Sequence, residues 1–295
     1  SRAIAWALAR RARCISFDIT VGRTYWARRR IAMNLHNDVH VVLQEAAIAA
    51  QAAYDNAMQT LTREERTRLV GLGGDGTPTH YLDEVVEAPV LDVFERHGVN
   101  VLSEEIGWID RGSSMTLVVD PLDGTANAAA GVPLACFSAA IALDGELVEG
   151  LAVWLDGGRS WWAHKDSLVV NSATGRTSLQ GASVSMLRPR PTTRAAWNRI
   201  ATSADRIRIL GSSVLEGCLV ADGAVDAFVD PGGEVHRIVD LAALALIVPA
   251  AGGVVVDLHG RPFSLTPDLS LRWSGVVAAT PELAFEIIEH VLQND

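Results

Sequence analysis

Cysteine is scarce in this chain. Its 295 residues hold three, Cys14, Cys136 and Cys218, odd in number and far apart. That usage excludes a disulfide-stapled secreted scaffold, offers no thiol set for a zinc site, and points to a reducing, cytoplasmic setting. Lysine is scarcer still: Lys165 is the only one, so nearly all positive charge is arginine. No apolar run approaches the ~20 residues that span a bilayer. The longest, Leu241 to Ala251, is short and Ala-rich and reads as a buried helix. The net charge is −10, unevenly placed. Residues 1–32 carry eight arginines against Asp18, which leaves 17 basic and 34 acidic residues and a net −17 for the rest. An acidic body of that kind repels nucleic acid and anionic membranes. The basic segment 1–32 has no clear period and reads as a disordered arm or translated upstream sequence rather than a targeting peptide.

What is present is a 49% hydrophobic chain long enough for one large domain or two joined subdomains. The halves are expected at 33–185 and 186–295. Asp38 to Leu61 has apolar residues at three- and four-residue steps, a helix with Asp38 as its cap. A glycine-rich loop follows at 71–79, then a second helix over His80–His97, with Pro89 as a kink or restart. Asn100–Ser103 reads as a strand leading to Glu104 and Glu105. Cys136–Leu143, Leu147–Leu155 and Ser160–His164 read as an antiparallel meander joined by Asp-Gly turns, with Trp154, Trp161 and Trp162 as packing residues. Beyond a Thr/Ser/Gly-rich stretch, strands and helices alternate: helices over Thr193–Ser203, Ser212–Ala221 and Asp240–Ala251, strands over Arg206–Leu210, Ala224–Val229 and Gly253–Asp257. The pattern is α+β: two α/β layers built in sequence, the first with an antiparallel sheet, the second mixed.

The most informative stretch is Asp-Pro-Leu-Asp-Gly-Thr-Ala-Asn at 120–127, directly after the apolar run Met115–Val119. It reads as a buried strand breaking into a turn that carries two carboxylates. Alone, Asp120 and Asp123 fit an ordinary structural turn as well as a functional one. Held together, two carboxylates at ~4 Å repel by about 4 kcal/mol at an effective dielectric of ~20. A divalent ion removes that cost, and oxygen-only ligands favour Mg²⁺, Mn²⁺ or Ca²⁺ over zinc. Glu104, Glu105 and Asp240 also stand beside structural punctuation, although a solvated pair and a helix cap are their commoner roles.

Together with the glycine loop, these acids resemble the inositol monophosphatase superfamily of metal-dependent phosphatases, over roughly residues 38 to 290. DPLDGTAN followed by Gly131-Val132-Pro133, SEE at 103–105, and VDLAALALIVPAAGG carry the resemblance. GDGTPTHYLDE, GVNVLSEE and GAVDAFVDPGGEVHRIVD look closest to its archaeal branch, whose members often hydrolyse both inositol 1-phosphate and fructose 1,6-bisphosphate. One departure is Ala250, where many members have Glu. The resemblance implies a layered αβαβα sandwich. It implies metal ligation by Glu104, Asp120, Asp123 and the Leu122 carbonyl, with Asp240 joining from the second half, around two or three Mg²⁺ ions (Mn²⁺ possible). Thr125 would orient the attacking water, Asp83 would partner it, and Glu104 would share the catalytic centre. Gly124 and Thr125 would receive the phosphate on helix N–H groups. Gly211 and Ser212 would form a substrate-contacting turn, and Asp230, with Glu234 as rival, an acidic substrate contact. A distal phosphate would need a cation, for which Arg188, Arg190, Arg237 and Lys165 are candidates.

The function expected is therefore a Mg²⁺-dependent phosphomonoesterase acting on a small phosphate ester by metal-activated water. It would be inhibited by millimolar Li⁺ or Ca²⁺ and be a homodimer, with no nucleic-acid or membrane partner. The alternatives are a phosphatase for 3′-phosphoadenosine 5′-phosphate or histidinol phosphate and, in a different class, a non-catalytic regulatory binding protein.

Overall fold

A computed structural model describes residues 35–293. The basic segment 1–32 lies outside the described residues. The first helix, α1 (Val41–Thr60), buries Val42, Leu43, Ala46, Ala50, Tyr54 and Ala57, the three-and-four spacing that the sequence shows. Its cap is His40, whose imidazole accepts from the Val42 N–H at 3.3 Å, and not Asp38, which stays exposed in the preceding turn. A short helix, α2 (Arg63–Thr67), follows where only a polar stretch was expected. Thr62 and Glu65 cap it reciprocally, at 3.2 and 2.7 Å. Strands β1 (Leu69–Leu72) and β2 (Pro78–His80) then pair antiparallel around the glycine turn. Next, α3 (Tyr81–His97) runs through Pro89 and stops at Gly98, whose φ is +63°.

The first sheet is built from β3 (Asn100–Ser103), β4 (Gly107–Ile109), β5 (Met115–Asp123), β6 (Cys136–Leu143), β7 (Glu146–Trp154) and β8 (Ser160–His164), with α4 (Thr125–Ala130) following β5. The order is β4-β3-β5-β6-β7-β8, parallel between β3 and β5 and antiparallel elsewhere. The second half contains β9 (Ser183–Met186), α5 (Arg194–Ser203), β10 (Arg206–Arg208), α6 (Ser213–Ala221), β11 (Ala227–Val229), α7 (Ile238–Leu241), α8 (Leu244–Ala250), β12 (Val254–Asp257), β13 (Gly275–Ala278) and α9 (Pro281–Leu292). Its five-stranded sheet is mixed, ordered β10-β9-β11-β13-β12.

Alternation along the strands sorts the core into layers. Leu117, Val119, Phe137, Ala139 and Ile141 pack on α1 and α3. The opposite face, with Cys136, Ala152 and Trp161, meets α6 and α8, which in turn cover Phe228 and Val277 of the second sheet. Val184, Val229 and Val276 bury the far side against α5 and α9. The result is the αβαβα sandwich. Trp161 is core, and Trp154 and Trp162 pack partly buried against it. The segment expected as one helix over Asp240–Ala251 is divided into α7 and α8. Ala242 and Ala243 keep helical dihedrals between them, but Leu246 N–H bonds three residues back, to Ala243.

Candidate metal centre

Asp120 and Asp123 are three residues apart, so on a regular strand they would face opposite sides of the sheet. The β5–β6 register prevents this. Asp120 lies opposite Ser138 and Asp123 opposite Cys136, three steps on one strand against two on the other. The one extra residue restores parity and puts both carboxylates on the face that looks toward the second half. Pro121 fits in the bulge because it has no N–H to leave unpaired.

Asp240 arrives from α7. One carboxylate oxygen from each of Asp120, Asp123 and Asp240 lies within 4.8 Å of the others, and all three residues are buried. Glu104 directly follows β3, its N–H on the Val119 carbonyl at 3.3 Å. The Arg237 side chain joins Glu104 to Asp240: it pairs with Glu104 and lies 3.1 Å from Asp240 Oδ1. Asp123 is anchored at the start of α6, where it accepts from the backbone N–H groups of Ser213 (3.1 Å) and Val214 (2.9 Å) and from the Ser212 hydroxyl.

Burial, with the charges of Glu104 and Asp123, raises the Asp120 pKa well above its usual value. Asp123 is also raised, first by burial and against the Ser212 hydrogen bond. Asp240 goes the other way: burial would raise it, but the Arg237 guanidinium outweighs that and holds it low. A cluster whose buried acids resist ionisation lacks positive charge. Its donors are all oxygen, so the residues present fit a hard divalent cation.

Thr125 opens α4. Its Oγ1 is 2.7 Å from Asp83 Oδ1 and 3.0 Å from the Leu122 carbonyl oxygen. Burial lifts the Asp83 carboxyl to about 7, opposed by its hydrogen bonds with Thr125 and His80. Gly124 precedes it with φ +87°, and a Cβ there would meet the Leu134 carbonyl at 2.6 Å and Ser212 Cβ at 3.0 Å. Gly124→Ala is therefore expected to destabilise the protein by about 1–3 kcal/mol, and a denaturation midpoint within error of the parent would contradict this packing.

The other expected residues fall close by. Gly211 and Ser212 form the turn before α6, with Ser212 turned onto Asp123. Asp230 is buried and accepts from the N–H groups of Gly233 (2.7 Å) and Val235 (3.1 Å). Glu234 instead pairs with Arg261 at 2.9 Å. Asp123, Gly211, Asp230, Arg188 and Arg190 line one cavity of about 320 Å³. Lys165, at the end of β8, does not line it.

Sequence reasoning missed two acids. Asp75, in the glycine turn, is bonded to Arg237 (2.9 Å) and Arg272 (3.2 Å). Glu216 accepts from the N–H groups of Leu210, Gly211 and Ser212 at 3.0–3.3 Å and so shapes the turn that holds Asp123. A lone acid on the otherwise apolar helix SVLEGCLVA was the available signal for Glu216. For Asp75 the partners are 162 and 197 residues away, and no local pattern shows them.

The fold and this cluster define a metal-dependent phosphatase class. The inositol monophosphatase family model matches residues 38–295. The chain is 36% identical over 252 residues to a fructose-1,6-bisphosphatase/inositol-1-monophosphatase of Methanothermobacter thermautotrophicus, covering 77% of this chain and 88% of that protein. It is 33% identical over 228 residues to the protein of the same description from Thermococcus kodakarensis, covering 75% and 85%. A crystal structure described as an inositol monophosphatase–fructose 1,6-bisphosphatase superposes with a TM-score of 0.73 at 25% identity, covering 84% of this chain and 98% of the other. The chain belongs to the inositol monophosphatase family.

Proposed function

We propose that this chain hydrolyses small phosphate monoesters, inositol 1-phosphate or fructose 1,6-bisphosphate first among them, with Mg²⁺ held by Glu104, Asp120, Asp123, Asp240 and the Leu122 carbonyl. The observation that carries this reading is the buried trio Asp120, Asp123 and Asp240, in which Asp120 and Asp123 are short of positive charge. Bound there, two or three divalent ions would neutralise phosphate oxygens and acidify the attacking water. The chain's own residues supply the rest. The first N–H groups of α4, after Gly124, would receive the phosphate. Thr125 Oγ1 would take a proton from the water as it passes its own to Asp83 Oδ1, 2.7 Å away. No Cys or His nucleophile is needed, because phosphoryl transfer rests on positioning and charge.

Arg188 and Arg190, in the cavity that Asp123 also lines, favour a second anionic group on the substrate, and so the bisphosphate over the inositol ester. The cytoplasm, a homodimer and a division of the chain near residue 185 belong to the same reading. No helix among the described residues is long and apolar enough to cross a membrane.

The test is phosphate release from a panel of monoesters with Mg²⁺ or EDTA, including 3′-phosphoadenosine 5′-phosphate and histidinol phosphate. Mg²⁺-dependent release is expected, with kcat/KM highest for fructose 1,6-bisphosphate. Thr125→Ala should lower kcat by about 10²–10⁴-fold. Release that persists in EDTA would refute the proposal.

A further inference from the structure

Arg237 makes more contacts with acids than any simple surface charge would. Nε and the backbone N–H of Arg237 both bind Asp240 Oδ2, at 3.2 and 2.6 Å, and Nη2 binds Oδ1 at 3.1 Å. Nη1 reaches Glu104 and, at 2.9 Å, Asp75. A carboxylate has about four acceptor positions. Arg237 fills three on Asp240 and leaves one, on Oδ1. Asp240 is also the member of the trio that reaches the cluster from the second half of the chain. The guanidinium therefore fixes which way Asp240 faces, ties it to Glu104 of the first half, and pins the glycine turn through Asp75.

We propose that Arg237 is a positioning residue for the metal centre: it fixes the orientation of Asp240 and Glu104, each of which would keep a carboxylate oxygen for the ion, and it couples the 73–77 turn to that arrangement. The proposal rests on the metal-dependent reading above. It predicts a sign that simple electrostatics does not. Removing a cation from an acidic cluster should tighten Mg²⁺ binding by Coulomb attraction alone. Loss of a group that orients ligands should weaken it, by about 10–100-fold.

The experiment is calorimetric Mg²⁺ titration of the full chain without substrate, for the parent, Arg237→Met, Arg237→Lys and Asp120→Asn. Arg237→Met should weaken Mg²⁺ binding about 10–100-fold. Arg237→Lys should recover part of the loss, because an ammonium keeps the charge but cannot span three carboxylates. At saturating Mg²⁺, KM for the ester should stay within about twofold of the parent while the Mg²⁺ concentration for half-activation rises. Mg²⁺ binding that is unchanged or tighter in Arg237→Met overturns the proposal. So does an effect confined to the ester KM, which is what contact with a distal phosphate would give. Should Arg237→Met fail to fold, Arg237→Lys decides: Mg²⁺ binding equal to the parent's overturns the proposal. Parent-like binding by Asp120→Asn would overturn the site reading itself, separately from the part given to Arg237.

Discussion

Asp120→Asn is expected to lower Mg²⁺-dependent turnover by on the order of 10³-fold or more, and to raise the melting temperature in EDTA at the same time. The two effects have one cause. Asp120 is 2% exposed and faces the charges of Glu104, Asp123 and Asp240. In the presence of the ion this negative charge is what binds it, and its loss removes several kcal/mol of charge stabilisation for the phosphate. With the ion chelated, the same charge is uncompensated and opposes folding. An amide keeps the shape, and its oxygen can still accept from the Leu122 N–H, now at 3.0 Å. Relief of one buried repulsion is worth about 1–3 kcal/mol, or roughly 2–10 °C for a domain of this size. Activity with paired melting curves checks both halves of the expectation. A variant that turns over normally, or one that melts lower in EDTA, would place Asp120 outside the metal centre.

Raising the pH from 5 to 8.5 in EDTA should lower the melting temperature, and saturating Mg²⁺ should lessen the decline. Burial lifts Glu105 to about 8, Asp83 to about 7 and Asp156 to about 6. Each folded value lies above the unfolded one. The native state therefore holds protons that the unfolded chain has lost, and these groups stabilise most below pH ~4. That contribution drains away as the pH climbs through each folded value, between about 4 and 8. Asp75 and Asp240 are lowered instead, so their contribution is present above ~4 and is lost only at more acid pH. The windows do not overlap. Counting only the better-buried Asp83 and Asp156, and discounting for screening, the loss is about 3 kcal/mol, or roughly 6–12 °C. Mg²⁺ in the cluster supplies the missing positive charge, favours ionised acids and stabilises the fold by mass action. A melting temperature in EDTA that is flat or rising over this range would show that these acids ionise freely in the native state.

Much of the fold was legible because its signals are local. Ser160–His164 has the bounds that the sequence shows, since strand alternation and the Asp-Gly turn before it need no distant partner. The glycine loop hid the β1–β2 hairpin, whose short strands are mostly exposed and carry little apolar pattern. β13 and α9 lie past Asp257, beyond the last strand that the sequence pattern marks. GVVA, buried along its whole length, shows no alternation to read. His40 displaced Asp38 as the cap of α1 because the chain approaches that helix from the meander, where Glu149 accepts the His40 N–H at 2.7 Å.

The sequence alone determined the chemistry: which oxygens are available, that sulfur ligands are absent from the pattern, and that the Asp-Pro-Leu-Asp turn ends a buried strand. Only the tertiary structure decided how those groups act together. The bulge against β6 puts Asp120 and Asp123 on one face, α7 brings Asp240 across from the second half, and Arg237 and Asp75 meet although 162 residues separate them. Short-range patterns record what a residue can do within a turn or a strand. Charge repulsion and ion binding depend on distances through space, and those are set by packing between elements remote in the chain.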